Sequence, residues 1–219
     1  MKKTIKSFKP LIILLFFVYF LPIFINNTIK VQAATFGPSK NFIGPRERIK
    51  DFQRSLLEVM KKGENITIEE RYKYLEPNVK ETFHFPLMVQ IASGNNWQHA
   101  TDSERLSLVD AFQRMSTMTL AALFNGYNGE TFKILSEKKG PQKTTLVSTE
   151  LVKSDKSRIS IIYVTRQFKH GWKIIDVILD KGISELLVRR SEYQKTLKNT
   201  GILGLIKLLE NKANEISLQ

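Results

Sequence analysis

The sequence predicts an α+β fold, a curved four-stranded antiparallel sheet packed with a helical subdomain in a cone-like arrangement around an apolar cavity. Three observations lead there. Helical periodicity occupies roughly residues 45–125 and 183–215, extended runs occupy roughly residues 130–180, and the turns joining those runs are short.

The first 33 residues read as an export signal: Lys2, Lys3, Lys6 and Lys9 precede an apolar core from Leu11 to Ile25, and Val31-Gln32-Ala33 supplies small residues at a cleavage site. Cleavage after Ala33 makes Ala34 the mature start. Retention as an uncleaved anchor is the other reading, but the core falls short of the roughly 20 residues that a spanning helix needs. Residues 34–219 then form a single domain.

Within it, Ile49, Phe52, Leu56, Val59 and Met60 recur at helical spacing until Gly63 ends the run. Thr67 and Glu70 make a capping box for a short helix toward Leu75, and Pro77 suits the first turn of a third helix carrying Val79 and Phe83. An apolar turn at Leu87 to Ala92 leads to a polar linker. Thr101 to Glu104 is a second capping box, opening a long helix with Leu108, Phe112, Met115, Thr119 and Ala122 on one face, which Asn125-Gly126 stops.

Beyond it the period changes to two. The runs 130–136, 144–153, 158–169 and 172–179 are rich in Thr, Val, Ile and aromatics, which predicts an antiparallel meander. The third and fourth runs are apolar at both parities, so the middle of the sheet is expected to be covered on both faces. Gly182 breaks the chain, Ser184 caps a helix to about Leu197, and Gly201 starts a last amphipathic helix.

Of the net +13, the export segment holds five lysines and no acids, leaving +8 for the rest. No run of five like charges and no nucleic-acid motif accompanies that balance, so an anionic membrane surface or an acidic partner is expected, and no nucleic acid. Cysteine is absent, which excludes disulfides and thiolate chemistry. His84, His99 and His170 lack metal-ligand spacing, and there is no nucleophile elbow or phosphate loop. No metal and no cofactor are expected. Asp176 alone has an unusual address, among Ile174, Ile175, Val177 and Ile178. Two readings of it stand: an acid or base tuned by burial, or a structural acid near the sheet margin that accepts hydrogen bonds.

Several spaced patterns together resemble the MlaC or toluene-tolerance family of periplasmic phospholipid-binding proteins. They are Arg71, Leu75, Pro77 and Val79 before Phe83-x-Phe85 and Met88; Gly94, Trp97, Ala100-Thr101, Glu104-Arg105 and Phe112; Gly171-Trp172, Asp176 and Gly182-Ile183-Ser184; and Tyr193, Gly201-Ile202, Gly204-Leu205 and Leu209. They span about residues 45–215. The resemblance implies a nuclear-transport-factor-like cone and a monomeric, non-enzymatic shuttle. It would carry phospholipid between an outer-membrane lipoprotein complex and an inner-membrane ABC transporter with an MCE-type subunit. One departure is His84, where the family often has an acid. A hopanoid-associated branch is similar too, which leaves a hopanoid or sterol-like cargo open.

By strand parity and helix face, the candidates for a lipid-binding lining are Phe85, Met88, Phe112, Met115, Met118, Leu146, Ile161, Tyr163, Ile175 and Val177. Each is also readable as ordinary core. Other classes of function are a small enzyme on the same cone, using Asp176 and Tyr163, and an adhesion or docking module without cargo.

Overall fold

The computed structural model describes residues 43–218, so the export segment and the cleavage point after Ala33 lie outside the described residues. Helix α1 (Pro45–Lys62) starts on a proline, whose missing N–H is no loss in a first turn, and buries Ile49, Phe52, Leu56 and Val59. It stops at Gly63, where φ is 50°, a value that residues with a Cβ rarely adopt. Both capping boxes form as the spacing predicts. Thr67 Oγ1 accepts from Glu70 N at 3.2 Å while Glu70 accepts from Thr67 N at 2.7 Å, opening α2 (Ile68–Thr82). Thr101 and Glu104 repeat the exchange at 3.2 and 2.8 Å to open α5 (Asp102–Leu123).

Two stretches differ from the sequence reading. Pro77 begins no third helix but lies inside α2, on its exposed side. Its ring removes the hydrogen bond to the Lys73 carbonyl, and an interior proline costs about 3 kcal/mol. The buried row Arg71, Leu75, Val79 and Thr82 runs uninterrupted past it, and fully burying Leu75 or Val79 is worth about 1.5–3 kcal/mol each. Burial therefore outweighs the local break. The apolar segment 87–92 is likewise helical: α3 (Phe85–Ser93), nine residues long and apolar on most sides, is too brief for periodicity to reveal. The single turn α4 (Asn96–His99) follows, and Arg105 of α5 holds it by donating to Trp97 O at 3.1 Å and Gln98 O at 3.2 Å.

Strands β1 (Thr131–Lys139), β2 (Thr144–Val152), β3 (Arg158–Phe168) and β4 (Gly171–Leu179) form the expected meander as a curved, unclosed sheet. A fifth strand, β5 (Ile183–Ser184), adds to β4 where the sequence predicts four; it lasts two residues because the chain reverses over Asp180–Gly182 and then enters a helix.

Register places Val147, Tyr163 and Val177 in one row and Leu146, Val164 and Asp176 in the next, so the two sets stand on opposite faces. On the first face Val147, Thr149, Ile161 and Tyr163 are buried under α1. On the second, Leu146, Ile162, Val164 and Ile178 stay half-buried, so full cover on both faces does not form. These aliphatics shelter one another instead as cross-strand pairs, Leu146 with Val164 and Ile162 with Ile178.

Helix α6 (Glu185–Ser217), broken at Gly201 (φ 64°, ψ −159°), runs beside α5 and α3. A chain of touching rings joins the layers: Tyr163, Phe52, Phe83, Phe85, Phe112 and Tyr193, with successive centroids 5.2–6.5 Å apart. The Phe83-x-Phe85 element sits at its centre. Around this core, charged side chains tie helix ends together. Arg71, 8% exposed, donates to Ala121 O at 2.8 Å, Ile66 O at 2.7 Å and Gly63 O at 3.3 Å, placing a cation on the carbonyl ends of α5 and α1. Glu81 of α2 joins α1 and β4 by meeting Arg48 at 3.1 Å and Lys173 at 3.7 Å.

Replacing Arg71 with Met keeps the apolar stem and strands those carbonyls, so Arg71→Met is expected to lower unfolding free energy by about 2–4 kcal/mol. Urea titration measures it, with Arg71→Lys falling between the two because one ammonium cannot reach all three acceptors.

Candidate functional site

Asp176 resolves first. One carboxylate oxygen accepts from Val177 N at 2.8 Å and Leu186 N at 3.1 Å, and the other accepts from Ser184 Oγ at 2.6 Å. Ser184 Oγ in turn accepts from Leu187 N at 3.0 Å, capping α6. The acid is thus a clasp between β4 and the first turn of α6, which is the structural reading. Its oxygens are turned toward the strand–helix junction, on the sheet face opposite Tyr163.

His84 has a comparable task. It is the N-cap of α3, its Nδ1 accepting from Leu87 N at 3.2 Å, while its own N–H donates to Ile174 O at 2.9 Å and its ring stacks on Phe168 at 3.9 Å. A carboxylate at this position would serve as the same acceptor, so the departure from the family pattern keeps the cap. Burial lowers the His84 pKa from 6.5; its own backbone hydrogen bonding partly opposes this, and the Lys173 and Arg166 cations lower it further.

The ten lining candidates separate into groups. Phe85, Met88, Phe112 and Met115 lie in the continuous core between α3, α5 and their neighbours, and Met118 is buried farther along α5. Ile161, Tyr163 and Val177 share the sheet face beneath α1. Ile175 occupies the bulge that shifts register between β3 and β4, and is buried there. Leu146 stands on the other face, away from the rest.

A groove of about 440 Å³ opens where α1 meets β1, lined by Arg46, Glu47, Lys50, Gln53, Arg54, Leu57, Phe132 and Ile134. None of the ten candidates is among these residues. The α1 members Arg46, Lys50, Gln53, Arg54 and Leu57 follow helical spacing, so one stripe of α1 forms a wall. Phe132 and Ile134 of β1 form the other, and Arg46 Nη2 donates across the gap to Ile134 O at 3.4 Å. The result is amphiphilic: exposed cations, half-buried Leu57, Phe132 and Ile134, and the buried Gln53, with Arg54 also paired to Asp51 at 3.0 Å.

Gln53 is the unexpected member. It is 3% exposed, and its Nε2 is buried beside the sheet. Behind it is the Tyr163 phenol, pushed up to about 12 by burial against a smaller opposing effect of the Gln53 amide. The hydroxyl therefore stays protonated. One signal for Gln53 was present in the sequence, since a polar residue four positions after Ile49 and three before Leu56 interrupts an otherwise apolar face.

Among the described residues no group of three or more His, Cys, Asp or Glu side chains is placed to hold a metal ion. No described helix is long and apolar enough to cross a membrane.

Comparison with known proteins fits this architecture. The family model described as MlaC protein matches residues 50–211. Among solved structures, a phospholipid-binding protein from Ralstonia solanacearum, determined in complex with a phospholipid, aligns with a TM-score of 0.70 and 16% identity over 80% of this chain and 99% of that one. At that identity the likeness is one of fold. No curated protein matches the chain.

Two outcomes follow from the clasp and the cap. Asp176→Ala should lose about 2–4 kcal/mol by orphaning three donors, whereas Asp176→Asn, which keeps an acceptor for the amides, should lose about 1 kcal/mol; denaturant titration distinguishes them. For His84 the folded-state pKa lies below the unfolded one, so its contribution is present above about pH 6.5 and is lost as pH falls through the folded value. His84→Asp should flatten the fall in stability between about pH 7 and 5, because a carboxylate keeps accepting from Leu87 N there.

Proposed function

We propose that this chain, which belongs to the MlaC family, is an exported periplasmic carrier that holds phospholipid acyl chains between α1 and the sheet. We assign it a shuttle's place between an outer-membrane lipoprotein complex and an inner-membrane ABC transporter with an MCE-type subunit. The α1–β1 groove carries this reading: its half-buried apolar side chains and exposed cations match an acyl chain leading to an anionic headgroup. The phospholipid held by the Ralstonia protein of the same fold supports it.

The energetics suit a shuttle. Each buried methylene is worth about 0.8 kcal/mol, so roughly ten supply about 8 kcal/mol relative to water, near micromolar affinity. Relative to a bilayer the same burial gains almost nothing, and cargo can be released again. From the groove the sheet face continues across Val147 and Thr149 of β2 to Ile161 and Tyr163 of β3 and Val177 of β4; Phe85, Met88, Phe112, Met115 and Met118 lie in the helical layer. The groove is near the lower end of the roughly 300–1,000 Å³ of small-molecule pockets, so a two-chain lipid requires α1 to lift from β1.

Native mass spectrometry of protein purified from cells should show a bound phospholipid; protein repeatedly free of lipid under gentle conditions would sink the proposal. Val177→Glu or Met115→Glu, if folded, is expected to abolish loading. Retained loading in a folded variant would remove that residue from the lining.

A further inference from the structure

Register sets Arg166 of β3 directly opposite Lys173 of β4, on the sheet face that carries Leu146 and Val164. Phe132 and Ile134 belong to the other face, so this pair stands apart from the α1–β1 groove. Like charges facing each other across strands, with Cβ atoms about 5 Å apart, repel one another. Both residues are half-buried, so salt and water screen that repulsion poorly.

Lys173 has a partial remedy. Its ammonium donates to the Glu81 carbonyl and lies 3.7 Å from the Glu81 carboxylate, which Arg48 meets more closely at 3.1 Å. Arg166 has none: its Nε is buried without a hydrogen-bond partner, and among the described residues its guanidinium makes no ion pair. His84 borders the pair by stacking on Phe168, which shares the Arg166 face, but after burial the Lys173 and Arg166 cations only lower its pKa further. The acid of the adjoining row, Asp176, is already engaged by three donors. Linked through Glu81, the three cations Arg48, Lys173 and Arg166 thus share one carboxylate, and a half-buried charge left without a partner is costly.

We infer that this corner is an anion site, in which Arg166 and Lys173 together hold a phosphate group, free or carried by a lipid headgroup. A phosphate brings roughly two negative charges at neutral pH, the surplus the cluster leaves unmet. Its tetrahedral oxygens accept from the planar guanidinium fork and from the ammonium at once. The site does not depend on the carrier reading, because it lies on the sheet face opposite the groove.

Thermal unfolding of the full chain tests it, at fixed pH and matched ionic strength, in chloride, in inorganic phosphate and in glycerophosphoglycerol, the chain-free headgroup of phosphatidylglycerol. A ligand of the folded state raises the melting temperature, and matched ionic strength removes general screening. Wild type is expected to melt higher in phosphate, in glycerophosphoglycerol or in both than in chloride. Arg166→Met, which keeps an apolar stem, should bind roughly ten- to a hundredfold more weakly and lose the rise, the effect of one hydrogen bond to a charged group. Lys173→Met should lose it too, and carries the test if Arg166→Met does not fold. Lys133→Met, at an exposed lysine of β1, should keep it. A rise with inorganic phosphate alone identifies the free ion as ligand, one with glycerophosphoglycerol alone identifies a headgroup, and one with both shows that the phosphate group itself is read. No rise in wild type, a rise retained in either folded site variant, or equal loss in Lys133→Met would overturn the site.

Discussion

The junction between β4 and α6 depends on one carboxylate. Asp176 gathers the Val177 and Leu186 amides and the Ser184 hydroxyl, and thereby fixes the direction in which α6 leaves the sheet. That direction matters because α6, two helical segments joined at the Gly201 break, runs along both α5 and α3. Tyr193, on α6, is the last ring of the aromatic chain that begins at Tyr163 on the sheet. A different launch angle would separate those layers.

Ties of the same kind recur around the edge of the molecule. Arg71 meets carbonyls from the ends of α1 and α5, Arg105 meets those of α4, and His84 caps α3 beside β4. Directional hydrogen bonds hold the helices by their ends, so the space between them is left to contacts without direction. This division suits the proposed carrier, in which an apolar seam opens to admit cargo. The walls of the seam can shift over one another because hydrocarbon contacts change little in energy as they slide, while the end ties preserve the frame. Buried polar atoms without a hydrogen-bond partner also stand within this packing, the Tyr193 hydroxyl among them.

Much of the architecture was legible in the residues. The Gly63 stop, both capping boxes, the meander and the break at Gly201 are signals confined to a few neighbouring positions, and each formed where its chemistry sits. Pro77 misled because a local break was set against a buried row that only tertiary packing supplies. The residues 87–92 misled because a nine-residue helix buried on most sides has no polar stripe to show its period. Apolar residues at both parities in β3 and β4 suggested two covered faces, but on the second face the aliphatics are only half-buried and pair across strands.

The site was less legible than the fold. Register sets Ile161, Tyr163 and Val177 on one sheet face and Leu146 on the other, a division strand parity could not make because register between strands is set by pairing and not by composition. The sequence by itself determined the Gly63 stop, both capping boxes, the four long strands, the Gly201 break and the family pattern, since those depend on groups a few residues apart. Tertiary structure alone decided that Arg71 reaches a carbonyl 50 positions away, that Asp176 is a clasp, and that Gln53 faces β1 across a groove. Such partners meet only when the layers pack, and no local preference encodes which of them will.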